Sequence, residues 1–147
     1  MKKIKLYLDN CCFNRPYDNQ EQIKVQLEAQ AKLYIQEKIK NIDYQLIWSY
    51  ILEYENSQNP YDIRKNEIIE WKHLSEIIIK PDKEILKRAE SFEKYNIKLK
   101  DALHISCAIE GKADYFLTTD IVLIKKGLKY NNIKIINPIT FIELLEE

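Results

Sequence analysis

The sequence predicts an α/β protein, a parallel sheet covered by helices on both faces, and three observations carry that expectation. Short apolar, β-branched runs alternate with longer stretches of helical period along the whole chain. The runs are too short and too uniformly apolar for strands that keep one face in water, so both faces are expected to be covered. The helical stretches between them supply the crossover connections that parallel strands require. With 147 residues, 46% of them hydrophobic, the chain has the size and apolar content of one core. No repeat or low-complexity tract interrupts the pattern, so a single domain over residues 1–147 is expected.

Each element follows from local signals. Lys3 to Leu8 reads as a strand that runs straight into Asp9, and Asn10 to Asn19, with Pro16 and several turn formers, reads as a loop. Apolar residues at Ile23, Leu27, Ala31, Tyr34, Ile35 and Ile39 predict one long amphipathic helix from about Gln20 to Lys40. Tyr44 to Trp48 is a second strand, and Ser49 is placed as the N-cap of a helix from Tyr50 to about Ser57 that stops ahead of Asn59 and Pro60. Asp62 to Leu74 is another amphipathic helix, followed by a strand at Ile77 to Ile79 that Pro81 ends. Asp82 caps a helix running to about Tyr95. After a joint at Asn96 to Lys100, a further helix begins at Asp101 and ends at Gly111, a residue suited to the left-handed C-terminal position. Asp114 to Thr119 is a strand, Asp120 to Tyr130 a helix, Lys134 to Ile136 a strand, and Pro138 to Leu145 a last helix with proline in its first turn.

Composition excludes several function classes. The 23 Lys and Arg are balanced by 23 Asp and Glu, which argues against a globally basic nucleic-acid coat while leaving room for a local basic groove. No apolar run approaches the about 20 residues that span a bilayer. Met1, Lys2 and Lys3 resemble the basic start of a signal peptide, but Asp9 and Asn10 cut the apolar stretch that follows, so a cytoplasmic protein is expected. Cys11, Cys12 and Cys107 fall at no zinc-ligand spacing, and neighbouring cysteines rarely share one tetrahedral ion; all three read as reduced, mostly buried thiols. With only 2 Gly, the chain has neither a Walker loop nor a dinucleotide-binding turn.

The acidic residues fall where an open α/β sheet binds ligands, beyond the carboxyl ends of its strands. Asp9 follows the first strand, Glu53 and Glu55 lie in the helix after the second, and Asp120 follows the fourth, into which the helix from Asp101 leads. If the first strand is central and flanked by the second and fourth, these groups converge. Carboxylates gathered with too few cations repel one another and ask for a metal, and hard oxygen donors favour Mg²⁺ or Mn²⁺. Asp101 and Asp120 equally suit helix N-caps, a role compatible with a second one. Glu53 and Glu55 point in different directions, so at most one faces the site. His104, on the helix face of Asp101, fits a packed or supporting position better than a ligand position. Ser49, Thr118 and Thr119 could reach a water or a phosphate, and Arg15, Lys98, Lys100, Lys125, Lys126 and Lys129 could form a basic rim, or be scattered surface charges.

Four blocks carry a resemblance: KLYLDN at Lys5 to Asn10, WSYILEYE at Trp48 to Glu55, KDALHISCAI at Lys100 to Ile109, and DYFLTTD at Asp114 to Asp120. In this order, over nearly the whole chain, they resemble the PIN domain nucleases, a metal-dependent group that includes the toxin ribonucleases of bacterial toxin–antitoxin pairs. The resemblance implies a three-layer α/β/α sandwich with a parallel sheet of about five strands. It implies that Asp9, Glu55, Asp101 and Asp120 are the catalytic, metal-holding residues, with Glu53 in reserve; Asn10, Arg15, Thr118 and Thr119, read from their own positions, are expected to touch the substrate. Asn10 stands where the family more often has Thr or Ser. One or two Mg²⁺ or Mn²⁺ ions would bind the scissile phosphate of an RNA and activate water for in-line attack, leaving 5′-phosphate ends. An antitoxin protein and a homodimer are the partners it suggests. The rival reading is a PIN-like module that binds RNA or protein without cutting, since fold alone does not prove function.

Overall fold

The computed structural model describes residues 3–129 and 132–146. Five strands, β1 (Ile4–Leu8), β2 (Tyr44–Ser49), β3 (Ile77–Ile79), β4 (Tyr115–Leu117) and β5 (Lys134–Ile136), form one sheet in the order β3-β2-β1-β4-β5, parallel throughout. The first strand is therefore central, between the second and fourth, as the convergence of carboxylates required. Leu6 pairs with Leu46 on one side and Tyr115 on the other, and Tyr7 with Ile47 and Phe116. Leu6, Tyr7 and Leu8 are all fully buried, which a strand achieves only when both of its faces are covered.

Among the described residues eight α-helices do the covering: α1 (Asn10–Asn14), α2 (Ile23–Lys40), α3 (Tyr50–Ser57), α4 (Asp62–Leu74), α5 (Lys83–Glu90), α6 (Leu99–Glu110), α7 (Ile121–Gly127) and α8 (Pro138–Leu145). Alternation along the strands divides the core. Tyr44 and Tyr115 project toward α8, where both meet Phe141 edge-on, and α2 packs against α8 on that side. Tyr7, Ser49 and Phe116 project to the other face, toward His104 of α6. The result is the PIN-like α/β/α sandwich.

Six expectations need correction. The segment from Asn10 to Asn19 is not a plain loop: Asp9 caps the short helix α1, and Arg15–Tyr17 adds a 3-10 turn with Pro16 near its start, a place that needs no N–H from it. On α2, Ile23, Leu27 and Tyr34 are exposed, while Glu28 and Lys32 are buried beside Ala31, Ile35 and Ile39. Those charges are tolerated because Glu28 meets Arg15 Nε at 3.2 Å and Asn137, and because the Lys32 ammonium bonds Gln36 between the rings of Phe13 and Trp71. The helix from Asp82 ends at Glu90, continues as a 3-10 turn over Ser91–Tyr95, and is closed by Asn96 in the left-handed region. The next helix begins at Leu99, so Asp101 lies inside its first turn and Lys98 holds the N-cap position. The strand expected over Asp114 to Thr119 is pared to Tyr115–Leu117. Tyr130, the expected end of the helix after Asp120, lies outside the described residues, as do Met1 and Lys2 of the basic start.

Gly111 is also not left-handed; its φ is −78°, and Lys112 takes the positive value of 60° instead. The glycine serves close approach. A Cβ there would stand 2.9 Å from Ile47 Cδ1 and 3.0 Å from its Cγ2, and Ile47 is fully buried in β2 with little room to yield. We expect Gly111→Ala to cost about 1–3 kcal/mol, the usual penalty of overpacking a filled core. Urea unfolding would read it, and an unchanged midpoint would mean that α6 can lift off the sheet freely.

Candidate active site

At the carboxyl edge of the sheet lies a cavity of about 340 Å³, and its wall includes Asp9, Glu55, Asp101 and Asp120, together with Cys11 and His104. Four elements from distant stretches of the chain supply these carboxylates. Asp9 leaves the central strand and caps α1, its Oδ1 accepting the Cys12 N–H at 3.3 Å and the Cys11 thiol at 2.7 Å. Asp9 is 8% exposed. Burial first, and Cys11 second, push its pKa well above the ordinary carboxyl value. Asp120 caps α7 with one oxygen, which accepts N–H bonds from Val122 and Leu123 at 3.0 and 3.2 Å. Its second oxygen is left for other partners, so the cap and the site role coexist. Asp101 is held up in pKa by burial and then by the charge of Asp120.

Glu55 is positioned differently, by a hydrogen-bond chain that crosses two strands. The backbone N–H of Leu52 fixes Ser49 Oγ at 3.2 Å, Ser49 Oγ meets Tyr7 Oη at 2.7 Å, Tyr7 Oη meets His104 Nδ1 at 2.6 Å, and His104 Nε2 meets Glu55. One proton order satisfies every link: Ser49 donates to Tyr7, Tyr7 to Nδ1, and Nε2–H to the carboxylate. Lys100 Nζ reaches the other Glu55 oxygen at 3.4 Å. Burial opposes ionisation of Glu55, yet His104 and Lys100 together bring its pKa below the ordinary value. Glu53 instead turns to Lys72, 2.7 Å away, and does not line this cavity. The structure thus brings Glu55 and not Glu53 to the three aspartates.

The expected substrate-contacting residues divide. Asn10 lines the cavity, its Oδ1 accepting from Asn14 at 3.2 Å. Thr118 and Thr119 are buried behind the wall; the Thr118 hydroxyl accepts the Asp120 N–H at 3.1 Å, and the Thr119 N–H points at Cys11 Sγ, 3.3 Å away. Their polar groups are engaged with Asp120 and Cys11 of the wall. Arg15 does not line the cavity; it is engaged in ion pairs with the buried Glu28 and with Asp18, itself a residue of the wall. Lys125 and Lys126 occupy the last turn of α7, the end opposite Asp120, so of the expected basic rim Lys100 is the lysine that the structure ties to a site carboxylate.

Sequence reasoning missed Cys11, Asn14 and Asp18 in the wall, and Tyr7 beneath it. A residue two positions past an N-cap aspartate lies on the first turn it caps, and that signal would have found Cys11. Chemically, the donor set fits a divalent cation: oxygen ligands predominate, two of the acids are strained toward the protonated form, and among the described residues no ion pair neutralises Asp9, Asp101 or Asp120.

The acids with raised pKa bind more protons folded than unfolded above about 3.8, so they lower stability as pH rises from there through their folded values. Glu55, with a depressed pKa, acts in the opposite sense; its contribution is present above about 4.5 and fades as pH falls. Asp9→Asn keeps the oxygen that caps α1 and removes the buried charge. In EDTA at neutral pH we expect it to stabilise the protein by about 0.5–2 kcal/mol, in the range of other relieved site strains, with the gain disappearing in acid. A lower urea midpoint for this variant would show the carboxylate to be compensated within the fold.

No family model and no curated protein sequence matches the chain. Solved structures do. The structure of VapBC2 from Rickettsia felis bound to a DNA fragment from their promoter aligns with a TM-score of 0.56 at 17% identity, over 91% of this chain and 98% of that one. FitAcB from Neisseria gonorrhoeae aligns with 0.56 at 16%, over 90% and 97%. PAE2754 from Pyrobaculum aerophilum aligns with 0.54 at 12%, over 98% and 91%. The PIN-like architecture built here from strand order and burial is the architecture of these proteins over nearly their whole length.

Proposed function

We propose that the chain is a metal-dependent endoribonuclease of the PIN type. The observation that carries this reading is the convergence of Asp9, Glu55, Asp101 and Asp120, from four separate elements, on one cavity at the carboxyl edge of the sheet. Asp9, Asp101 and Asp120 would hold Mg²⁺ or Mn²⁺, one ion or two. When bound, the ion supplies positive charge for the scissile phosphate and lowers the pKa of water. Glu55 would orient that water, with His104 and Tyr7 holding the carboxylate in a single rotamer. Lys100, 63% exposed at the rim, would offer its ammonium to a phosphate of the incoming strand. Asn10 in the wall would bond a phosphate oxygen or a water.

A toxin role with an antitoxin protein as partner, in the cytoplasm, belongs to the same proposal and rests on the four resembling sequence blocks. Among the described residues no helix is long and apolar enough to cross a membrane.

The test is cleavage of a mixed pool of single-stranded and structured RNA with Mg²⁺ or Mn²⁺. Cuts with 5′-phosphate ends are expected. They should vanish in EDTA and fall by about 10²-fold or more in Asp101→Asn, as when a principal charge stabiliser is lost. Expression of the wild type in a bacterial host should arrest growth, and expression of Asp101→Asn should not. RNA that binds but stays intact under every metal would replace the nuclease with a binding module.

A further inference from the structure

The chemistry proposed above needs oxygen donors, yet a sulfur stands in the same wall. Cys11 Sγ lies 2.7 Å from Asp9 Oδ1, and Asp9, Cys11 and Cys12 can each place a ligand atom within 4.8 Å of the others. The two thiols are not equivalent. Cys12 is fully buried and donates to the Leu117 carbonyl at 3.2 Å, which commits it to the core. Cys11 is half-buried and lines the cavity, its sulfur held by the Thr119 N–H at 3.3 Å and the Thr118 hydroxyl at 3.4 Å.

The burial of Asp9 adds to this. It is more than nine-tenths buried at the end of the central strand, it accepts hydrogen bonds from the Cys12 N–H and the Cys11 thiol, and among the described residues no Lys, Arg or His pairs with it. A buried carboxylate left so is compensated when a cation arrives. Thiolate and carboxylate ligands sit about 2.3 and 2.1 Å from an ion such as Zn²⁺, hence about 3.6 Å from each other at a tetrahedral angle. Cys11 Sγ and the Asp9 oxygen need separate by only about 1 Å to reach that arrangement. A cation on this oxygen of Asp9 therefore meets the Cys11 sulfur as its neighbour.

We propose that Cys11 is a direct ligand of the metal that Asp9 holds, so that the centre is a mixed carboxylate–thiolate site. The thiol proton passes to solvent as the metal–sulfur bond forms. The thiolate raises the affinity of this centre for borderline-soft divalent ions, Zn²⁺ or Co²⁺, relative to the Mg²⁺ or Mn²⁺ that its carboxylates suit, because thiolate adds little for a hard ion. The inference rests on the reading of the cavity as a cation site and is independent of whether RNA is cut there.

Co²⁺ is the probe, added to the full chain without oxygen, with bound metal measured by equilibrium dialysis and the sulfur-to-cobalt charge-transfer band read in the near ultraviolet. The wild type should bind Co²⁺ with the band present. Cys11→Ser should lose the band and bind Co²⁺ more weakly by at least the roughly 10–100-fold that even indirect supports of a metal site carry, and Mg²⁺ should displace the ion from it more readily. Cys12→Ser should keep the band, and Cys12→Ala replaces it if the serine variant fails to fold. Absence of bound Co²⁺, Co²⁺ bound without the band, a band that survives Cys11→Ser, or one that disappears only with Cys12 would each overturn the assignment. RNA cleavage assayed in parallel separates the two readings: a band without cleavage upholds the thiolate ligand and removes the nuclease, while cleavage without a band does the reverse.

Discussion

The structure depends on one constraint, the complete burial of the central strand up to the residue where it must stop being apolar. Leu6, Tyr7 and Leu8 have no exposed face, and the next residue is a carboxylate. Parallel strands place their carboxyl ends on one edge, so whatever follows β1, β2 and β4 is gathered there by topology alone. Asp9 and Asp120 arrive in this way. Both are then fixed by the same local device, an N-cap in which one oxygen serves the helix that starts beside it. The cap sets the rotamer of the carboxylate, so the helix start and the site geometry are one interaction.

Repulsion among these acids has to be offset elsewhere, and the hydrogen-bond chain through Tyr7 shows how. Tyr7 stacks on Phe116 and its hydroxyl joins Ser49 of β2 to His104 of α6, tying two strands and a helix together beneath the cavity. His104 and Lys100 then keep Glu55 ionised, whereas Asp9 and Asp101 are held toward the proton. Glu55 thus has ion-pair partners inside the fold, and among the described residues the three aspartates have none. That asymmetry separates a group suited to orienting water from groups suited to receiving a cation.

Much of this was legible in the sequence. Strand count and the helix caps at Ser49, Asp82 and Asp120 follow from periodicity and from short polar residues at helix starts, both local signals, whereas the strand order around β1 is non-local and entered the sequence reading only as a condition. The choice of Glu55 over Glu53 required the resemblance, because both lie on α3 and only the packing of that helix against α6 decides which one faces His104. Failures came where tertiary partners override pattern. On α2 the exposed Ile23 and Leu27 imitate an apolar stripe, while the buried Glu28 and Lys32 look like surface charges until Arg15, Phe13 and Trp71 are placed around them. Nothing in Arg15's own segment reveals the buried glutamate on a later helix with which it pairs.

The same reasoning explains why the cysteines were read as bland. Cys12 and Cys107 are fully buried and behave as small apolar residues, and only position within the turn distinguishes Cys11 from them. Because α1 starts at Asn10 and not after a long loop, its first turn folds back over Asp9 and carries the Cys11 sulfur to the carboxylate. A flexible loop there would have spread those donors apart. The short helix therefore does more than end the strand: it brings a carboxylate and a thiol together at the carboxyl edge of the sheet, within reach of one another.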